Sequence, residues 1–412
     1  MGAKAVESEG HPLGREVLWL LQLAMVVFVW TVGIGILNGT DIVDFDHKVI
    51  LSHVHAGTLG WITTAVFAAS LWLFGEQATA GELRTARVLA RAAMVTLPVF
   101  AFTFAFTIEE PRALIGSLAL ATIIGFFAWV VARARQVVLT TVHLGFLAAV
   151  ATSVAGGVLG VLLATKIATG RDVIPAGGED AHPATMVVGF LIPVGMALAE
   201  WGLRGGAALE PAGRMGRAQI GLPFLGGIVL MVGLLLDIDP LPPLAALIEL
   251  AGVVIFCIRL LPSVRRVSWT ERTAGRNAAA AALAIVANIV FINYLAGANG
   301  GDFDVVPTHQ ILALDHMMFV GVLTNSIFAL LILAGGNTSR RPTIDDIVFW
   351  AMNLGLLGFV VSLLFEQTWL ERIATPVLGL SIILGLVEHT LRLRSGAKVE
   401  PPQIVVTSPA VA

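Results

Sequence analysis

Ser52-His53-Val54-His55-Ala56-Gly57-Thr58-Leu59-Gly60-Trp61 opens an apolar segment with two histidines two residues apart. The run continues without a charge from Ile62 to Phe74, which makes it long enough to cross a bilayer as a helix of about 20 residues. On a helix, positions i and i+2 lie about 200° apart. His53 and His55 therefore point to nearly opposite sides, and one helix can serve two sites. The competing reading places both rings at the lipid–water boundary, where polar tips on apolar bodies are tolerated.

The whole chain has the same character. Of 412 residues, 57% are hydrophobic and 13% charged, and the mean hydropathy is +0.88. That balance excludes a soluble globular domain and fits a polytopic membrane protein. The single cysteine, Cys257, lies in an apolar run, so no disulfide framework or thiolate metal site is available. Any metal must be held by histidine, carboxylate or carbonyl.

Apolar runs of about 20 residues recur twelve times, centred near Met25, Val66, Leu97, Ile123, Ala151, Leu191, Ile228, Val253, Ala284, Ile327, Leu357 and Ile383. The connecting segments alternate in charge. One set carries arginines, among them Arg84, Arg133, Arg214, Arg265 and Arg340; the other carries acids, among them Asp44, Glu109, Asp180, Asp237 and Asp302. By the positive-inside rule the arginine set is cytoplasmic, and so are both termini. The expected architecture is all-α: a cytoplasmic tail over 1–15, a twelve-helix membrane domain over 16–394 and a structureless cytoplasmic tail over 395–412.

The histidines sort sharply on this topology. His53 and His55 open the second span, His182 the sixth, and His309 and His316 the tenth, all at the outer ends. Ligand-bearing spans four apart are what a bundle of three four-helix arcs produces. His55 and His316 each stand five residues before a glycine, Gly60 and Gly321, whereas His182 stands seven before Gly189. His316 lies about 10 Å deeper than His309 at 1.5 Å per residue. An ionisable side chain at that depth usually faces the bundle interior, so His316 is the stronger ligand candidate. Asp315 is a candidate to orient a ring. His11 and His47 read as solvated, His143 and His389 as packing residues, and Glu249 as hydrogen-bonded to a neighbouring helix.

The segment HVHAGTLGWITTAVFAASLWLF resembles the tenth-helix motif of the catalytic subunit of C-type heme-copper oxidases, in which a His-x-His supplies axial ligands to two hemes. That family is also a twelve-helix, pseudo-threefold bundle with ligands on its second, sixth and tenth helices. The resemblance implies heme, b-type, in one or two copies, with copper as a further candidate. It implies that His55 and His316 hold a low-spin heme, that His53 is the proximal ligand of a high-spin heme, and that His182 corresponds to a copper ligand. This chain differs in carrying the His-x-His on its second span, in lacking histidine on the seventh, and in having Tyr294 as its single tyrosine. Robust oxygen reduction is therefore not expected.

The expected function is a heme protein of a bacterial or archaeal cytoplasmic membrane, engaged in electron transfer or in nitric oxide or oxygen chemistry or sensing. If it is an enzyme, it is a heme-dependent oxidoreductase. An electron-donor cytochrome, a small subunit and a diatomic gas are the expected partners, and nucleic acid is not. The alternatives are a histidine-bound copper or zinc sensor or carrier and a cofactor-free transporter, for which twelve spans are equally typical.

Overall fold

A computed structural model describes residues 10–106, 108–205, 207–337, 339, 341–394, 399–400 and 403–404. Among them, twelve helices are long and apolar enough to cross a membrane. In chain order these are α1 (Gly14–Gly39), α2 (His47–Phe74), α3 (Ala80–Thr103), α4 (Glu109–Ala134), α5 (Thr141–Thr169), α6 (Gly178–Arg204), α7 (Arg214–Leu236), α8 (Leu241–Val264), α9 (Ala274–Ala298), α10 (Thr308–Ala334), α11 (Pro342–Leu364) and α12 (Thr368–Arg394). The chain is an all-α polytopic membrane protein.

Local chemistry sets the ends of these helices. The Asp46 carboxylate accepts from Val49 N–H at 3.0 Å and starts α2. Thr79 and Glu82 form a reciprocal capping box at the start of α3, which satisfies amides that have no partner inside the helix. Gly170 ends α5 in the left-handed region at φ 67°, a conformation open to glycine at no steric cost.

Burial separates the helices into two classes. In α2, α6 and α10, 83% of the most apolar stretch is buried, against 33–50% in the other nine. These three form the centre, four apart in the chain. Each leans on the helix before it and the one after: α2 on α1 and α3, α6 on α5 and α7, α10 on α9 and α11. The arcs meet where α1 packs on α12, α5 on α4, and α9 on α8. Trp61 of α2 stacks on Phe28 of α1 with ring centroids 4.6 Å apart and meets Phe328 of α10 edge-on at 6.2 Å.

All three central helices widen into a π-helical turn at the same level: Ala56–Thr63 in α2, Thr185–Leu191 in α6 and Met317–Thr324 in α10. The wide turns are braced by hydroxyls that reach back five residues. Thr63 donates to the Thr58 carbonyl, Thr64 to Leu59 and Thr324 to Phe319, each at 2.9 Å. Such turns are rare and gather at functional sites. Here they fix a common register, because each begins one residue after His55, Ala184 or His316.

The two ends of the bundle differ in chemistry. The end where α2, α6 and α10 begin carries His53, His55, His182 and His316, and is called the histidine end below. The opposite end gathers arginine–carboxylate pairs: Arg259 with Glu200, Arg272 and Arg276 with Asp346, Arg392 with Asp345, and Arg133 with Glu82.

One expectation at the arginine end is corrected. His11, read as solvated, is buried, and its Nδ1 accepts from Leu13 N–H at 3.2 Å. The tail read as structureless lies partly outside the described residues. Where it is described it is packed: Val399 accepts from His11 N–H at 3.0 Å, Glu400 from the Trp72 indole at 2.6 Å, and Gln403 from Leu209 N–H at 2.7 Å. The tail takes part through its backbone carbonyls, so its low helical periodicity gave no sign of these bonds.

Candidate functional site

Within the histidine end, α1, α2, α10, α11 and α12 line a partly open cavity of about 240 Å³. His53 and His316 both line it, together with Gly35, Gly57, Asp315 and Phe359. Each ring is surrounded by protein yet keeps accessible surface, because that surface is cavity wall. The two imidazoles are also in electrostatic range of one another. His316 meets Phe359 edge-on at 4.8 Å. Gly35 lies against the His53 ring, where a Cβ would sit 3.4 Å from its Cε1, at packing contact.

The hydrogen bonds orient both rings alike. His53 Nδ1 lies 2.8 Å from the Thr31 carbonyl of α1, and His316 Nδ1 lies 2.7 Å from the Leu312 carbonyl of its own helix. A carbonyl only accepts, so the proton is on Nδ1 in each case. A neutral ring so arranged presents the Nε2 lone pair, the tautomer that a metal-bound histidine needs and that an outer hydrogen bond fixes. Neither Nε2 has a hydrogen-bond partner among the described residues.

His55 lies on the other side of α2. Its Nδ1 donates to the Leu51 carbonyl at 2.8 Å, its ring stacks on Phe104 at 3.7 Å, and it does not line the cavity. The electrostatic neighbours of His55 are His182 and Arg112. The resemblance implied a pairing of His55 with His316; the ring of α2 that lines the cavity with His316 is His53. The roughly 200° between i and i+2 is realised with His53 turned to α1 and α10.

Other expected site residues are placed apart from the cavity or in different roles. His309 sits 3.8 Å from the exposed Glu366 and does not line the cavity, so it is not brought to His53 and His316. Asp315 lines the cavity, but the Leu312 carbonyl orients His316 in its stead. His182 donates from Nδ1 to the Gly156 carbonyl at 2.9 Å. Among the described residues, no three or more His, Cys, Asp or Glu side chains gather as a metal-holding group. Glu249 is buried without a partner for Oε1, in place of the expected interhelical hydrogen bond. His47 is exposed, as expected.

Reasoning from sequence missed Gly35 and Thr31 on α1, which position His53. A glycine four residues after a threonine is too common a pattern to signal this. A set of two imidazoles suits a ligand that brings most of its own donors: a heme iron takes four nitrogens from its macrocycle and axial ligands from the protein. A bare zinc ion in a structural site takes four protein ligands and in a catalytic site three. No protein-family model matches the chain, and no match is found among curated proteins.

Proposed function

We propose that the chain is an integral membrane heme protein that transfers electrons, in which His53 and His316 would hold the heme at the cavity lined by α1, α2, α10 and α12. This reading includes kinship with the catalytic subunits of heme-copper oxidases, and a cytoplasmic membrane of a bacterium or archaeon with the arginine end inside. The observation that carries it is the pair of imidazoles on one largely apolar cavity, each tied through Nδ1 to a backbone carbonyl and each with Nε2 left over.

A bound heme supplies a one-electron iron couple. The chain supplies the rest: two fixed imidazoles, an apolar wall, and glycines at Gly35, Gly57 and Gly379 where a flat ring needs room. Two histidines on one iron leave no position for oxygen or nitric oxide, so electron transfer is favoured over gas chemistry at this cavity. A copper or zinc carrier is less well supported, because only two nitrogen donors meet there.

The test is an optical and paramagnetic spectrum of the full chain, purified in detergent from cells supplied with hemin. Low-spin bis-histidine bands are expected, and His53→Ala and His316→Ala should each remove the same species. Protein without Soret absorbance, or a low-spin spectrum that survives both substitutions, would overturn the reading.

A further inference from the structure

We infer that α2 carries a second bis-imidazole heme site on its opposite side, formed by His55 and His182. This inference rests on the reading of the first site and extends it to residues for which the resemblance implied other roles.

The π-helical turns impose a common register on the three central helices. The turns start one residue after His55, Ala184 and His316, so these three positions are equivalent in the three arcs. Two residues earlier stand His53, His182 and Leu314, which form a second equivalent set. The offset of His182 from Gly189 is thereby explained: the glycine is shared, and the histidine occupies the position of His53 rather than that of His55.

The hydrogen bonds divide along the same line. Histidines of the first set bond to their own helix four residues back, His55 to Leu51 and His316 to Leu312. Histidines of the second set bond to the preceding helix, His53 to Thr31 on α1 and His182 to Gly156 on α5. Four residues beyond each of those acceptors is a glycine against the ring. A Cβ at Gly35 would lie 3.4 Å from His53 Cε1, and one at Gly160 would lie 3.0 Å from His182 Cε1. An aromatic ring on the following outer helix meets each first-set histidine edge-on: Phe359 of α11 at His316 and Phe100 of α3 at His55.

The cavity site joins one histidine of each set, His316 from α10 and His53 from α2. The same rotation applied to the next pair of central helices joins His55 from α2 to His182 from α6, and His182 is the histidine in electrostatic range of His55. Both rings have Nδ1 committed to a carbonyl, and neither Nε2 has a partner among the described residues. The third pair of positions holds Ala184 and Leu314, and Asn288 of α9 donates there to the Leu314 carbonyl at 2.8 Å. The arcs therefore build two imidazole pairs and one position without them.

A further group points to a ligand with carboxylates. Arg112 is buried at 8% exposure, stands over the Phe104 ring at 4.9 Å, and bonds through one nitrogen to the Thr103 and Phe106 carbonyls. Its Nε has no partner. A buried guanidinium with an unused donor beside an imidazole pair suits the acidic side chains of a heme. Phe104 stacks on the face of His55, so it does not compete for the in-plane lone pair of Nε2.

The experiment measures heme per chain by the pyridine hemochrome method, with redox-resolved spectra, on full-length protein from hemin-supplied cells. Two hemes per chain are expected. His55→Ala, His182→Ala and the double variant should each retain one heme with the same residual spectrum. His53→Ala and His316→Ala should retain the complementary one. Arg112→Gln should lower the midpoint potential of the species lost in His55→Ala and leave the other unmoved. Where a variant yields too little protein, the glycine substitution at the same position with added imidazole restores the ligand and the spectrum.

One heme per chain, unaffected by His55→Ala and His182→Ala, would overturn this inference while the first site stands. Loss of one species by His55→Ala together with His316→Ala would show the opposite pairing and overturn both assignments. Heme retained in His53→Ala and His316→Ala but lost in His55→Ala and His182→Ala would refute the first site alone.

Discussion

His316 and His143 are both imidazoles enclosed by helices, and the protein treats them in opposite ways. His143, at the arginine end, uses both nitrogens: Nδ1 accepts from the Thr140 hydroxyl at 2.8 Å and Nε2 donates to the Leu73 carbonyl at 3.1 Å. His316, at the histidine end, uses Nδ1 alone and turns its remaining surface to a cavity. The same contrast holds for the ends as wholes. At the arginine end, Glu200 accepts from Arg259 through both oxygens at 2.8 Å, and Gln219 completes the set. At the histidine end, four rings each keep a nitrogen in reserve. Each of these four nitrogens stays accessible while Nδ1 of the same ring is held by a backbone carbonyl, an arrangement that suits a ligand. One end is closed by ion pairs, and the other keeps imidazole nitrogens accessible.

The two ends should separate most sharply at the Glu200–Arg259 pair. Glu200→Ala leaves a largely buried guanidinium without its carboxylate, a loss of about 3–5 kcal/mol for such pairs. Thermal unfolding in detergent should fall accordingly, while the heme spectrum per folded molecule stays unchanged. His316→Ala should do the reverse, removing heme with little change in the stability of the heme-free protein. If Glu200→Ala altered the spectrum of the folded fraction, the two ends would not be separable in function.

A second test uses pH at the arginine end. Burial holds the His11 imidazole down to about 4 from its ordinary 6.5, with a hydrogen bond to Trp72 opposing. Below pH 6.5 the unfolded chain takes up a proton that the folded chain refuses, so stability falls as pH drops from 6.5 to 4 and falls no further from this group below that. At about 1.36 kcal/mol per pH unit the full loss is on the order of 3 kcal/mol. His11→Gln should flatten this segment of the stability–pH curve, measured by thermal unfolding between pH 7 and 4. A curve as steep in the variant as in the native chain would assign the pH response to other groups.

The sequence made these ends legible to different degrees. His53, His55, His182 and His316 were visible because histidine is conspicuous in apolar runs, and the twelve spans because bilayer thickness sets a minimum length. Which ring faces which was not visible. Rotation of a helix about its axis is set by packing on its neighbours, and His53 turns to α1, where Thr31 offers a carbonyl and Gly35 lies against the ring. The π-helical turns were equally hidden, and without them His182 appeared out of register by two residues. His309 misled for a related reason: seven residues from His316 implies a shared face, but α10 begins at Thr308, so His309 lies in its first turn beside Glu366.

The mildest test probes where the two ends touch. Trp61 lines the cavity at the histidine end, and its indole donates at 3.3 Å to the hydroxyl of Thr324, which itself bonds back to Phe319 inside the π-helical turn of α10. This bond ties the widened turn of α2 to that of α10 deep in the bundle. Trp61→Phe keeps a ring stacked on Phe28 and removes only the N–H. A single neutral hydrogen bond contributes about 0.5–1.5 kcal/mol, so a loss of about 1 kcal/mol is expected in thermal unfolding, with heme content intact. Because the bond joins the helices that carry His53 and His316, the variant should also make the heme held by that pair exchange faster with apomyoglobin, while the heme assigned to His55 and His182 exchanges as before. Equal acceleration at both would mean that the turns move as one unit, and no acceleration would mean that each central helix holds its histidines without help from the others.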